Sequence, residues 1–158
     1  MGLASCDISF RDTAPPDVEA LLYDVLYRDF GVAEGAAWRE TGEGSVVAIA
    51  RDGRGKVVGS ARLLSSPGDV ERQLRQLAVS PDARGSGVGR MLIDGLERRA
   101  AGEGATAIVL NARDSAWEFY EHLGYTYTGP EFVSELTGIV HRPMRRELGP
   151  KRERGEAQ

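Results

Sequence analysis

A glycine-rich loop is the part of this sequence with the clearest chemical potential. It follows a strand-like segment and Pro81, and a helical pattern begins within it. Alternate glycines let backbone N–H groups turn inward without a Cβ in the way, and a helix N-terminus adds unpaired donors and positive potential. The loop therefore predicts a phosphate or pyrophosphate site. It consists of Arg84, Gly85, Ser86, Gly87, Val88, Gly89 and Arg90.

Two well-known nucleotide signatures fail on specific residues of this loop. The dinucleotide fingerprint, started at Gly85, requires glycine or alanine where the chain has Arg90; started at Gly87, it requires glycine or alanine where the chain has Leu92. A Walker A loop ends in glycine, lysine and serine or threonine, whereas this loop continues through Arg90 to Met91. A regulator that binds ATP or NAD here is therefore kept only as an alternative.

A third pattern fits, and a second motif accompanies it. Arg84, Gly87 and Gly89 match the sequence Gln/Arg, two residues, Gly, one residue, Gly/Ala, and residues 77–79 precede it as an apolar strand end. About thirty residues later, Ala116 and residues 119–125 (FYEHLGY) form a helix followed by a Leu-Gly turn. Together these motifs resemble the acyl-CoA loop and the late helix of the GNAT family of N-acetyltransferases.

The resemblance implies that acetyl-CoA lies where two strands splay apart, one ending near Val79 and the other near Leu110. Many members of the family carry asparagine seven residues before the late tyrosine; this chain has Arg113 there, and Asn111 can take that role. No metal is implied. The implied cofactor contacts are Leu77, Ala78, Val79, the seven loop residues 84–90, Asn111, Ser115 and Phe119.

The family mechanism is direct attack of an amine on the thioester, and the resemblance assigns Tyr120 as the acid that protonates the leaving thiolate. A strand N–H near Val79 would stabilise the oxyanion. The base is open: some relatives have glutamate where this chain has Gln73, which cannot accept the proton. Glu71 and His141 are the candidates, and a water chain to solvent is the alternative to both.

The acceptor is expected to bind at residues 32–44 and at the turn 65–69. Glu34 can attract a cationic amine, and Trp38 can cover it through a cation–π contact, although an ordinary solvated loop is the alternative. The acceptor itself, a small molecule or a protein amine, is left open. Because Gln73 replaces a carboxylate, a catalytically silent acyl-CoA sensor on the same fold is the competing functional hypothesis.

The hydrophobic pattern supplies the elements that must position these residues. Proline at 15 and 16 and glycine at 31 bound one helix, and the others are expected near residues 88–102 and 115–123. This order predicts an α/β fold in which helices cover a mixed sheet; the resemblance implies a mostly antiparallel sheet of six to seven strands, splayed in the middle, with helices on both faces. The expected strands are 7–11, 45–50, 56–64, 72–79, 106–110, 125–128 and 139–146.

Length and composition set the remaining limits. The 158 residues predict one domain, 1–148, and a charged tail, 149–158. A net charge of −4 disfavours a nucleic-acid partner, and one cysteine with two histidines excludes an intrachain disulfide and disfavours a Cys/His metal site. No apolar run approaches the roughly 20 residues of a membrane span, and no secretory signal is evident, so cytoplasm is expected. Dimers are common among proteins that resemble this one, so a homodimer is a further expectation.

Overall fold

A computed structural model describes residues 6–34, 45–64 and 70–149, and this part of the chain forms one sheet with helices on both faces. The helices are α1 (Pro16–Leu26), α2 (Val88–Gly102) and α3 (Trp117–His122), and short 3-10 turns occur at Arg28–Phe30, Pro81–Ala83 and Asp114–Ala116. The strands are β1 (Asp7–Arg11), β2 (Val46–Arg51), β3 (Val57–Leu63), β4 (Glu71–Val79), β5 (Ala107–Arg113), β6 (Thr126–Tyr127), β7 (Phe132–Val133) and β8 (Val140–Glu147).

The first half of the sheet is an antiparallel meander in the order β1-β2-β3-β4. Its hairpin between β2 and β3 is built by Asp52, whose carboxylate accepts the N–H groups of Arg54 at 2.9 Å and Lys56 at 3.0 Å. Gly55 completes the turn with a φ of 84°, a conformation that costs glycine little. The Asp-Gly-Arg-Gly segment between two strand-like runs is typical of a hairpin, and the structure forms one here.

The sheet divides between β4 and β5. These strands run parallel and pair over only three residues, from Glu71 opposite Ala107 to Gln73 opposite Val109. Beyond that point the described residues show no pairing between them, whereas β5 pairs with β8 along its whole length. The mixed, mostly antiparallel sheet that splays in the middle is therefore confirmed.

Apolar side chains on the two faces of the sheet explain where the helices lie. On one face α1 packs Val18 and Leu22 against the β2 residues Val47 and Ile49. On the other face α2 and α3 form the larger core, in which Leu92 is fully buried. Gly59 permits this close approach, because a Cβ there would lie 2.8 Å from the Val88 Cγ1. Helices on both faces were expected, and the structure confirms them.

The main departure from the expected fold lies late in the chain. The described residues form eight strands rather than six or seven, because β7 pairs Phe132 with His141 and Val133 with Val140. A two-residue strand carries too short an alternation to be recognised in a sequence. β5 also continues to Arg113, three residues beyond its predicted end. Within the described part of the chain, no helix is long and apolar enough to cross a membrane.

Candidate active site

A cleft of about 750 Å³ opens where β4 and β5 separate. Its walls come from elements that are distant in sequence, because the sheet brings the end of α1, two central strands, α3 and the β7 region to one place. The cleft is lined by Leu26, Tyr27, residues 73–77, residues 110–113, Ala116, Tyr120, residues 132–137 and His141.

The glycine loop lies at the end of β4 and leads directly into α2. Gly85 and Gly87 have φ values of 79° and 91°, in the left-handed region that favours glycine. The N–H groups of Gly85, Gly87 and residues 88–90 donate to no other described residue, so they are available to an anionic ligand. Ser86 differs, because its N–H and its hydroxyl both donate to the Ala83 carbonyl.

Phe119, a residue of α3, packs against this loop. Its ring packs against Gly89, where an added Cβ would lie 3.2 Å from the Phe119 Cζ. The same ring meets Tyr120 edge to face, with 5.0 Å between ring centroids. The loop and Tyr120 thus contact the same ring, and an alanine at position 89 would require that ring to shift by a few tenths of an ångström.

Tyr120 is 5% exposed and lines the cleft. Burial raises the pKa of its phenol well above the usual value, so the hydroxyl keeps its proton at ordinary pH. Among the described residues this hydroxyl has no hydrogen-bond partner, whereas the neighbouring Tyr125 hydroxyl donates to Glu97 at 2.8 Å. Because buried hydroxyls are usually satisfied, Tyr120 offers a donor that a ligand in the cleft can use.

The two candidate bases lie in different places. His141 lines the cleft, stacks on Phe132 and places its Nδ1 2.9 Å from the Ile139 carbonyl. A carbonyl oxygen can only accept, so Nδ1 carries the hydrogen and the Nε2 of the neutral ring is free to accept a proton. Glu71 instead lies at the paired end of β4 and forms an ion pair with Arg145. Glu71 is outside the cleft lining, so His141 is the candidate base that lies in the cleft.

The other predicted site residues also lie partly inside and partly outside the cleft lining. Leu77 and Asn111 line the cleft, and Gln73 lies beside them, while Ser115 is exposed on the 3-10 turn before α3. Glu34 is exposed, at the edge of the described residues and outside the cleft lining. Trp38 and the turn 65–69 lie outside the described residues. Of the thirteen predicted cofactor residues, Leu77 and Asn111 thus line the cleft, whereas the others are outside its lining: Ala78, Val79, residues 84–90, Ser115 and Phe119.

A polar network beside the cleft was missed by the sequence analysis. Gln76 has a φ of 57° at a register shift between β3 and β4. Its amide accepts from the Arg62 Nε at 3.1 Å and donates to the Tyr27 hydroxyl at 2.9 Å. Arg62 is buried, which lowers the pKa of its guanidinium, and it also donates to the Ser45 hydroxyl. No signal in the sequence marks a bulge, so this network could not be anticipated.

Comparison with known proteins agrees with this geometry. The family described as "Acetyltransferase (GNAT) domain" matches residues 19–148. A Bacillus subtilis (strain 168) protein described as an acetyltransferase is 34% identical over 92 residues, which cover 57% of this chain and 58% of that protein. This chain therefore spans less than two-thirds of the length of that curated relative.

Solved structures share the fold over almost the whole chain. A structure described as an N-acetyltransferase from Lactobacillus plantarum has a TM-score of 0.78 at 21% identity and covers 91% of this chain and 99% of its own. An aminoglycoside 6'-N-acetyltransferase complexed with coenzyme A has a TM-score of 0.75 at 19% identity, over 93% and 99% of the two chains. The splayed sheet and its cleft are those of an acyl-CoA N-acyltransferase fold. The chain belongs to the GNAT acetyltransferase family.

Proposed function

We propose that this protein transfers the acetyl group of acetyl-CoA to a primary amine, which attacks the thioester directly. One observation carries the proposal. The splay between β4 and β5 opens a cleft that is lined by Tyr120, whose buried hydroxyl lacks a partner among the described residues. Phe119 joins that tyrosine to a loop with unpaired N–H groups. A proton donor and a candidate anion site thus lie on either side of one phenylalanine ring.

The residues of the loop and of β4 fit the chemistry of coenzyme A. The N–H groups from Gly85 to Arg90, Ser86 excepted, can bind the two negative phosphates at the start of α2, and Arg84 and Arg90 add positive charge. The edge of β4 at residues 77–79, which the described residues do not pair with β5, can pair with the amides of the pantetheine arm. Asn111, Ser115 and Phe119 would complete the contacts. A protein of the same fold was solved in complex with coenzyme A, which supports coenzyme A as the ligand.

Different residues of the chain then perform separate steps of the reaction. Bound acetyl-CoA supplies the thioester carbon that the amine attacks. An N–H of β4 near Val79 donates to the oxygen on which negative charge develops. Tyr120 donates a hydrogen bond to the departing sulfur, and the Nε2 of His141 accepts the proton that the ammonium loses before it attacks as the free amine. The proton that the nitrogen loses as the C–S bond breaks passes to the departing thiolate. The raised pKa of the phenol means that Tyr120 acts chiefly by hydrogen bonding to the sulfur.

The proposal is tested by following the release of free thiol from acetyl-CoA across a panel of primary amines. We expect turnover with at least one class of amine and a lower kcat in His141→Gln. The loss in His141→Gln should shrink as the pH approaches the pKa of the amine, because more amine is then already deprotonated. Binding of acetyl-CoA without turnover of any amine would favour the silent sensor, which the glutamine at position 73 suggests.

A further inference from the structure

Arg113 is a cleft residue whose charge has no carboxylate partner among the described residues. It stands at the end of β5, and its Nη2 donates to the Leu26 carbonyl at 2.6 Å. Its guanidinium also lies over the Phe30 ring, 5.3 Å from the centroid. Partial burial lowers the pKa of this guanidinium by removing it from water. Such a group is normally balanced by an anion, since an uncompensated buried charge is costly.

Two other arginines of the same sheet pair with carboxylates, whereas Arg62 and Arg142 donate to neutral groups. Arg51 on β2 donates to the Asp17 carboxylate at 2.7 Å, and Arg72 on β4 donates to Glu103 at 2.7 Å. Arg113 instead uses one nitrogen on a backbone carbonyl, which leaves its remaining N–H groups for another acceptor. The fork of those N–H groups matches the two oxygens of a carboxylate or a phosphate.

We propose that the acceptor amine carries an anionic group, a carboxylate or a phosphate, and that Arg113 binds it. This inference rests on the acetyltransfer proposed above and specifies its substrate class. The cleft lining also includes Arg75 and Glu135, and the proposal assigns the anion to Arg113, which lies at the end of β5. Neither the glycine loop nor Tyr120 takes part in this recognition.

The position of Arg113 limits the distance between the anion and the reacting nitrogen. Arg113 pairs directly with His141 across β5 and β8, so the two side chains leave the sheet on the same face with Cα atoms about 5 Å apart. An amine that reaches His141 while its anion contacts Arg113 has the two groups within a few bonds. Phe132, Val133 and Leu136 line the same cleft and are 42%, 61% and 37% exposed, which leaves room for an apolar body.

Matched amines test this inference. Leucine is compared with leucinamide, and phosphoethanolamine with ethanolamine, so that each pair differs in its anion. We expect the wild-type protein to have the higher kcat/KM for the anionic member of at least one pair. Arg113→Met should lower that value roughly 10- to 100-fold, the usual worth of hydrogen bonds to a charged group, while the neutral member changes little. The pair that responds distinguishes carboxylate from phosphate.

Arg142→Met is the matched control, because Arg142 also donates to a backbone carbonyl, that of Gly129, and lies over an aromatic ring, that of Tyr127. It lies outside the cleft lining, so its substitution should leave the preference for anions intact. Arg113→Lys keeps the charge and should restore part of the loss, and it replaces Arg113→Met if that variant does not fold. A wild-type preference for neutral amines, or an equal effect of Arg113→Met on both members of each pair, overturns the inference.

Failure of the inference and failure of the proposed function give different results. If neutral amines are acetylated and anionic ones are not, the protein is an acetyltransferase and the inference is wrong. If no amine is acetylated, calorimetric titration of leucine and of phosphoethanolamine into the protein with coenzyme A decides the inference. Binding that Arg113→Met abolishes supports the inference, whereas absent or unchanged binding overturns it.

Discussion

At the scale of one residue, we expect the Tyr120 hydroxyl to contribute to catalysis and not to stability. It has no partner among the described residues, so Tyr120→Phe should leave the free energy of unfolding unchanged or slightly higher. The same substitution should lower kcat about 100-fold or more, with nearly unchanged affinity for coenzyme A. Because burial raises the pKa of the phenol, its ionisation should cause no loss of kcat below about pH 10.

Tyr127→Phe is the control for this prediction. The Tyr127 hydroxyl donates to the Glu121 carboxylate at 2.6 Å, and Tyr127 lies outside the cleft lining. Its loss should leave kcat unchanged. A Tyr120→Phe protein with full turnover on a productive amine would remove Tyr120 from the mechanism, whatever its stability.

For Glu97 we expect the opposite result, a loss of stability on substitution, because its contacts are structural. It is 8% exposed on α2, accepts from the Tyr125 hydroxyl, and accepts from the Arg146 guanidinium at 2.8 Å. Glu97→Ala should cost about 1–3 kcal/mol, because the buried Tyr125 hydroxyl and the partly exposed Arg146 guanidinium lose their acceptor. Asp94→Ala, one turn earlier, removes only the exposed ion pair with Arg98 and should cost under about 1 kcal/mol. Chemical denaturation measures both, and equal costs would contradict the assignment.

At the scale of secondary-structure elements, we expect the left-handed backbone conformation at the turn into α2 to contribute to coenzyme A binding. Gly87 has a φ of 91°, and an added Cβ would meet no described atom within 4 Å. Gly87→Ala should therefore lower stability by about 1–2 kcal/mol through backbone strain alone. It should also weaken coenzyme A binding more than about tenfold, because the methyl group obstructs approach to the N–H groups of the loop.

Gly55→Ala supplies the matched comparison, since Gly55 has a φ of 84° in a distant hairpin and equally open surroundings. It should lose similar stability and keep its affinity for coenzyme A, as measured by thermal unfolding and calorimetric titration. Equal affinities in the two variants would show that the loop does not bind the cofactor.

These elements also show what a sequence can and cannot predict here. The Asp52–Gly55 turn and the alternate glycines of the loop depend on local backbone chemistry, so their residues predict them directly. The bulge at Gln76 and the two-residue strand β7 arise from pairing with distant strands, and nothing local marks them. Arg113 was noticed only as a departure from a motif; its place in the cleft depends on Leu26, 87 residues earlier in the chain.

At the scale of the whole molecule, the two halves of the sheet share little backbone pairing. One half contains β1 to β4 and the other β5 to β8, and the described residues join them by pairing at only three positions, residues 71–73 with 107–109. A cofactor that pairs with the open edge of β4 and contacts Asn111 on β5 would therefore bridge the halves. Its binding should stabilise the molecule as a unit rather than one loop.

Coenzyme A at a hundredfold excess over its Kd should raise the free energy of unfolding by about 2.7 kcal/mol, whereas ATP and NAD should not. Hydrogen exchange should slow at the cleft-side amides of residues 74–79, in the loop 85–90 and at residues 110–113. Ala48 and Ile49 lie in β2, which is paired on both sides. Hydrogen exchange at their amides should therefore slow only through the increase in global stability. If NAD stabilises the protein and coenzyme A does not, the cleft binds a nucleotide cofactor. If protection is confined to the loop, the two halves of the sheet are not bridged.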